Sequence, residues 1–200
     1  MKLLRLAMPA ALAFALSACS LGGMLGGGGK TPANLLSLTP QAALPDQIVR
    51  SASAGEAVTI STPLIAKELR SVRVPVQVSA TQVAYVTDLQ WVDTPDRLFQ
   101  GLLAETVRRT TGRVVLDSRQ VALDPGVVIN GELQRFGYDQ ASGNVIVRFD
   151  AAKAANGGTR VDTRRFEAQV PASGDAATVG PALNQAANQV ALEVAQWIGD

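Results

Sequence analysis

The chain has no histidine and a single cysteine, Cys19, among its 200 residues. The absence of histidine excludes a Ser-His-Asp triad, a Cys-His pair and any metal site built on imidazole. A single cysteine also excludes an intramolecular disulfide, so the folded part has to be held together by its core. We therefore expect neither a metal nor another cofactor.

Lysine is also scarce, and neither the lysines nor the acids of the sequence indicate a catalytic site. Lys67 is the one lysine that could serve a Ser/Lys dyad, but no Ser-x-x-Lys motif accompanies it. Asp93 and Asp96 are the closest pair of acids, yet both lie where a predicted helix begins and negative charge is stabilising. The scattered acids form no calcium-binding loop. We expect a protein that is not an enzyme.

Neither sign of charge is in excess, because 18 basic residues face 17 acidic ones and the net charge is +1. Aromatic residues make up only 4% of the chain, and no RNA-binding aromatic motif or basic patch is present. We therefore expect no nucleic-acid partner. A chain of 200 residues that is 47% hydrophobic is typical of one globular domain with a modest core.

No apolar run is long enough to span a bilayer as a helix, which takes roughly 20 residues. The run from Leu6 to Leu16 is shorter, follows Lys2 and Arg5, and is followed by two small residues. This layout predicts a secretory signal peptide over residues 1–18. The stretch Leu16-Ser17-Ala18-Cys19 resembles the bacterial lipobox. That resemblance implies cleavage before Cys19.

Cys19 is the predicted lipid-attachment site and the N-terminus of the mature chain. Two or three acyl chains, palmitate among them, would hold the protein on a membrane far more durably than one chain. Ser20 stands where an aspartate would favour retention in the inner membrane. In a bacterium with two membranes, we therefore expect the protein on the periplasmic face of the outer membrane.

Residues 19–33 form a predicted tether of lipidated cysteine and glycine-rich sequence. Such a composition buries too little apolar surface to order itself, and it would reach roughly 20 Å on average. The folded domain is predicted to occupy residues 34–200.

Short apolar or alternating runs, separated by proline and glycine, predict a series of strands after the tether. In the last strand the apolar residues change phase, which predicts a bulge near Arg164 and Arg165. The predicted strands are Leu35–Leu38, Ala57–Ser61, Val74–Ser79, Val83–Trp91, Arg113–Leu116, Val127–Phe136, Asn144–Asp150 and Arg160–Val170.

Two segments have a helical period. The first begins with Thr94 as the expected N-cap and Pro95 at the first helical position, and it ends at Gly112. The second runs from Leu183 to Trp197 on its apolar side, with polar residues such as Asn184 and Asn188 on the opposite side.

The order of these elements predicts an α+β fold, with a mainly antiparallel sheet covered on one face by two helices. Trp91, Tyr85 and Trp197 lie on apolar faces and are predicted core residues.

Several segments together resemble a known family. "VTISTP" (residues 58–63), "LQWVDTP" (89–95) and "QRFGYDQASGNVIV" (134–147) occur in that order after the lipobox and before a Leu/Val-rich terminal helix. The arrangement is similar to the ABC-type transport auxiliary lipoproteins, which include the lipoprotein of the paraquat-inducible intermembrane transport system. One departure is Leu35-Leu36, where such proteins often carry tyrosines.

The resemblance implies an accessory or docking component of an MCE-type ABC transport system that moves phospholipid or related lipid between the inner and outer membranes. Its implied partners are an MCE-domain substrate-binding protein, a permease and an ATPase, because this chain has no Walker motif of its own. A homo-oligomeric ring would suit a conduit, but no sequence feature indicates one.

A second hypothesis is an envelope lipoprotein that binds lipid or assists outer-membrane assembly without a transporter. This function would require an apolar pocket between the sheet and the helices. The docking hypothesis instead predicts a filled core and an exposed sheet face or edge.

Overall fold

A computed structural model gives the fold over residues 34–45, 50–53, 55–116 and 126–199. The predicted signal peptide, Cys19 and the tether lie outside these described residues. The chain order of the elements is β1 Val58–Ile60, β2 Leu64–Ile65, β3 Arg73–Ser79, β4 Gln82–Gln90, α1 Pro95–Thr111, β5 Val115–Leu116, β6 Val127–Asp139, β7 Asn144–Ala155, β8 Arg160–Pro171 and α2 Ala176–Gly199. Two short 3₁₀ turns lie at Lys67–Leu69 and Asn156–Gly158.

The eight strands form one sheet arranged about β6, the longest strand. One edge of β6 pairs with β7 in antiparallel fashion, and β7 pairs likewise with β8. The other edge of β6 pairs in turn with β1, β2 and β3, all parallel to it. Strand β5 extends the sheet beside β1, also in parallel, and β4 pairs antiparallel with β3.

The fold is therefore α+β as predicted, but the sheet is mixed and the prediction of a mainly antiparallel sheet was wrong. Strands β1, β2 and β3 run in the same direction along one edge of β6. The chain reverses in the β3–β4 hairpin, and α1 then leads it back to β5 and β6, which run antiparallel to β4 and parallel to β1. Hairpin signals in the sequence revealed the β6–β7–β8 meander and not this second set of pairings.

The core lies between the sheet and the two helices. Phe99 of α1 packs on Phe149 and Phe136 with ring centroids 5.2 and 6.4 Å apart, and Trp91 lies 5.5 Å from Phe136. At the other end of the core, Trp197 of α2 lies 5.5 Å from the ring of Phe166. The predicted core roles of Trp91 and Trp197 are confirmed, because the first is buried and the second is partly buried against the core.

Strand β4 differs from the simple alternation expected of it. Val83 is exposed and Tyr85 is only partly buried, with the guanidinium of Arg73 4.1 Å from the Tyr85 ring centroid. Val86 and Leu89 are buried instead. Asp88 has a φ of 56°, in the left-handed region, and this local kink reverses which side chains face the core.

The predicted bulge in β8 was also wrong. Strands β7 and β8 pair residue for residue from Asn144↔Pro171 to Ala155↔Arg160. The apolar phase changes because Val161 points to the solvent side of the sheet, where it is 58% exposed. The irregularity lies in β6, between Leu133 and Arg135.

Helix α2 begins seven residues before its predicted start. Asp175 caps it, since its carboxylate accepts the Thr178 N–H at 3.0 Å, and the Thr178 hydroxyl accepts the Ser173 N–H at 3.0 Å. Pro181 is the sixth residue of α2, where it removes one intrahelical N–H donor, since the Val179 N–H already bonds to the Asp175 carbonyl. The added turns bring α2 beside the first residues of the described chain.

Candidate docking surface

The face of the sheet opposite the helices, at β6, β7 and β8, carries charged side chains of both signs. Side chains alternate across a strand, so Val147, Phe149 and Ala151 face the core while Arg148 and Asp150 face away from it. We call this surface the open sheet face. Its members are Arg135, Arg148, Asp150, Thr163, Arg165, Glu167 and Gln169.

Two directly opposed residue pairs carry opposite charges on the open sheet face. Arg148 of β7 pairs with Glu167 of β8 and donates a hydrogen bond from Nε. Asp150 of β7 pairs with Arg165 of β8, whose Nε and Nη2 donate to the two carboxylate oxygens at 2.6 and 2.7 Å. Such cross-strand ion pairs support the register between the two strands.

The ion pairs also change the titration of the two acids. The hydrogen bond from Arg165 lowers the pKa of Asp150 below its ordinary value, and burial opposes this only in part. The hydrogen bond from Arg148 likewise lowers the pKa of Glu167. Both acids are therefore charged at neutral pH, and the surface presents alternating charges of both signs.

Strand β8 forms an edge of the sheet in the described part of the chain. It pairs with β7 alone, so the backbone groups along its outer side face away from the sheet. Arg160, Asp162, Arg164 and Arg165 place charges along this strand, and Val161 exposes its apolar side chain. Charged side chains disfavour uncontrolled pairing at an edge strand, while a matched partner strand can still add to it.

The space between sheet and helices is filled by side chains. Leu183, Ala187, Val190 and Val194 of α2 are fully buried, as is Phe99 of α1. The ring contacts described above close the same space from the sheet side. An internal acyl-chain pocket would require these side chains to move apart.

The N-terminal segment of the described domain lies on the helices, where asparagines hold its backbone. The Asn184 side-chain oxygen accepts the Thr39 N–H at 2.8 Å, and that of Asn188 accepts the Gln41 N–H at 2.8 Å. Asn188 also donates to the Thr39 carbonyl at 2.9 Å. We call residues 36–42 the strap. The helical period predicts both asparagines on the side opposite the apolar residues, and it cannot reveal that a distant segment of chain covers that side.

The strap starts beside the end of β4. The Leu36 N–H donates to the Gln90 carbonyl at 2.7 Å, and the Val92 N–H donates to the Leu36 carbonyl at 2.8 Å. The strand predicted at Leu35–Leu38 is thus a single bridge from Leu36 to Trp91. At its far end, Arg109 Nη1 donates to the Ala42 carbonyl at 2.9 Å. The first described residues therefore lie at the start of α1, beside Trp91.

The predicted site residues are placed as follows. Cys19 lies outside the described residues, so its lipidation stays a prediction. Asp93 accepts the Thr94 N–H at 2.7 Å and lies 3.8 Å from Arg97, which is a helix-start role. Thr94, the expected N-cap, makes no side-chain capping bond. Lys67 lies in a 3₁₀ turn, exposed.

Among the described residues, no group of three or more histidine, cysteine, aspartate or glutamate side chains is arranged to hold a metal ion. Within the same ranges, neither helix has the length and apolarity that crossing a membrane requires.

A family model described as "ABC-type transport auxiliary lipoprotein component" matches residues 37–195. The match covers most of the chain, and the chain belongs to this family. It is accordingly a membrane-anchored envelope protein that serves as an auxiliary component of an ABC transport system. The family resemblance drawn from the sequence segments is confirmed.

Solved structures share the fold. The crystal structure of a protein from Xanthomonas campestris, assigned to the family model DUF330, has a TM-score of 0.65 and 17% identity, covering 82% of this chain and 94% of that one. A crystal structure described as that of an uncharacterized protein has a TM-score of 0.57 and 15% identity, covering 83% and 97%. At such identities the likeness extends to the fold alone. Among curated proteins, none matches the chain.

Proposed function

We propose that the protein is a non-catalytic docking component of an MCE-type ABC transport system that moves phospholipid or related lipid between the two membranes. Its acylated Cys19 holds it on the periplasmic face of the outer membrane. Its open sheet face and the β8 edge receive the MCE-domain protein, whose permease and ATPase are separate chains.

The family match over residues 37–195 carries this proposal, because it makes the chain an auxiliary lipoprotein of an ABC transporter. The outer-membrane address rests on Ser20 after the predicted acylated cysteine. The MCE partner and the lipid cargo rest on the resemblance carried by the sequence segments.

The open sheet face supports docking for a physical reason. Its ion pairs are partly exposed, so a partner can exchange them for intermolecular pairs and use the alternating charges to select its register. The edge of β8 adds backbone donors and acceptors, which give affinity in strand addition.

The alternative is an envelope lipoprotein that binds lipid without a transporter. It would use an apolar pocket between the sheet and the helices, but Phe99, Leu183 and Val190 occupy that space and are fully buried. We therefore prefer the docking function.

Site-specific photo-crosslinking in cells tests the proposal. A photoreactive residue at Thr163 on the open sheet face is compared with one at Leu192, which is exposed on α2. Each is expressed with native Cys19 and with Cys19→Ser, and captured proteins are identified by mass spectrometry. We expect an MCE-domain protein from Thr163 only, and much less of it without the lipid anchor.

Equal capture from Leu192 would overturn the assignment of the open sheet face. If Thr163 captured only outer-membrane proteins unrelated to transport, the transporter function would be wrong and the stand-alone lipoprotein would take its place.

A further inference from the structure

A surface pocket of about 330 Å³ lies where α1 ends and β5 begins. It lies on the helix side of the sheet beside β5, and its lining includes no residue of the open sheet face. Four arginines and one acid line it, drawn from two separate parts of the chain: Arg50, Glu105, Arg108, Arg109 and Arg113.

Local interactions explain the positions of two of the arginines, Arg108 and Arg109. Arg109 Nε donates to Glu105 at 2.7 Å and Arg108 Nη1 lies 3.4 Å from the same carboxylate. The hydrogen bond from Arg109 lowers the pKa of Glu105, which is therefore charged. Both arginines also complement the negative end of the α1 dipole.

Arg50 and Arg113 have no such explanation. Arg50 Nη1 lies 3.5 Å from the Arg113 carbonyl oxygen, and no carboxylate of the described ranges forms an ion pair with either guanidinium. Among the described lining residues, four guanidinium groups and one carboxylate leave a formal excess of three positive charges. Neighbouring like charges are unfavourable unless an anion joins them.

The remainder of the pocket wall is apolar. Leu44, Pro45, Val114 and Val115 line it, and the Leu44 side chain is 68% exposed. An exposed leucine next to a cluster of guanidinium groups suits a ligand that has both an anionic group and a hydrocarbon part. Arginine forks match phosphate oxygens in geometry and charge.

We propose that this arginine pocket binds the phosphate group of an anionic phospholipid, with the adjoining glycerol and acyl carbons against Leu44 and Val115. The inference goes beyond the proposed docking function and does not depend on it, since the pocket and the open sheet face share no residue. It would give the domain a direct contact with a lipid in addition to its own anchor.

Calorimetric titration of the mature chain, residues 19–200 with Cys19→Ser, tests the inference. The probes are dihexanoyl phosphatidic acid below its micelle concentration and inorganic phosphate. We expect saturable binding of the lipid, weakened about tenfold by Arg113→Gln through loss of a charge-assisted hydrogen bond. Arg70→Gln, which removes the same charge at an exposed site away from the pocket, is expected to bind like the parent chain.

Leu44→Ser separates the two sources of phosphate. We expect it to weaken binding of the lipid and to leave inorganic phosphate unchanged, because Leu44 would contact only hydrocarbon. Equal affinity for lipid and inorganic phosphate would overturn the phospholipid assignment in favour of a free phosphate site. Absence of lipid binding, or an equal loss in Arg113→Gln and Arg70→Gln, would overturn the pocket itself. Thermal melting of each variant confirms that it is folded.

Discussion

At the scale of single residues, Asn188 connects the strap near the start of the domain to helix α2 at its end. It is only 6% exposed. Its side-chain amide forms hydrogen bonds to Thr39, Gln41 and Asn184, so both of its polar atoms have partners. A buried polar residue in the interior of a helix usually lowers stability. Here the loss is offset because Asn188 supplies hydrogen-bond partners to the backbone of the strap.

Asn188→Ala should therefore destabilise the domain and release the strap. The Gln41 N–H and the Thr39 carbonyl would lose their buried partner, at a cost of about 1–3 kcal/mol in the free energy of unfolding. Denaturant unfolding measures the loss, and hydrogen exchange of the Thr39 and Gln41 amides should accelerate. Gln189→Ala, one residue along on the exposed side, serves as the control and should change neither quantity.

The Arg148–Glu167 pair on the open sheet face predicts a pH dependence. The pKa of Glu167 is lower in the folded protein than its ordinary value of about 4.5, so its contribution to stability is complete above that value. The contribution is lost as the pH falls through the lowered folded-state pKa. Because both side chains are partly exposed, its size is under about 1 kcal/mol.

Glu167→Gln should accordingly lower the free energy of unfolding slightly at pH 7 and match the parent chain at low pH. Denaturant melts at a series of pH values from 7 to 3 would show the two curves converging below about pH 4.5. A difference that grew at low pH would contradict the assigned ion pair.

At the scale of elements, two glycines show how closely the layers approach. A Cβ added at Gly131 of β6 would lie 2.5 Å from the Phe149 ring, on the core side of the sheet. A Cβ added at Gly101 of α1 would meet no atom within 4 Å. Gly131 is therefore required by packing, whereas Gly101 only weakens its helix.

The two alanine substitutions should have opposite signs. Gly131→Ala should lower the free energy of unfolding by about 1–3 kcal/mol, as overpacking does in a filled core. Gly101→Ala should raise it by about 0.4–1 kcal/mol, because alanine restricts the unfolded chain and favours helix. Thermal and denaturant unfolding of the two variants measures the sign of each change in the free energy of unfolding. A neutral Gly131→Ala would mean that β6 and β7 can separate at low cost.

At the scale of the whole molecule, the proposed membrane address depends on two residues before the folded domain. Replacing Ser20 by aspartate should move the protein to the inner membrane, and Cys19→Ser should release it from membranes altogether, because in the proposed function acyl chains on Cys19 supply the attachment. Density fractionation of envelope membranes measures both outcomes, with Ser20→Ala as the matched control. A Cys19→Ser chain that remained membrane-bound would show that another contact holds it.

The sequence by itself determined the features that depend on local chemistry. Helix α1 was predicted from Pro95 and Gly112, and the β6–β7–β8 meander from its turns and apolar runs, since these signals lie within a few residues of the elements they start and end. The family followed from short segments in a fixed order. The acylation of Cys19 rests on the same kind of local pattern and awaits its test.

Only the tertiary structure decided which distant parts of the chain meet. The parallel pairing of β1, β2 and β3 with β6 joins strands that are separated in the chain by at least β4 and α1, and no local pattern encodes the partner of a strand. The strap on Asn184 and Asn188 and the pocket that joins Arg50 to Arg113 likewise bring together residues far apart in sequence. Such contacts form because burying the remaining apolar surface selects one arrangement of elements, and that selection belongs to the whole fold.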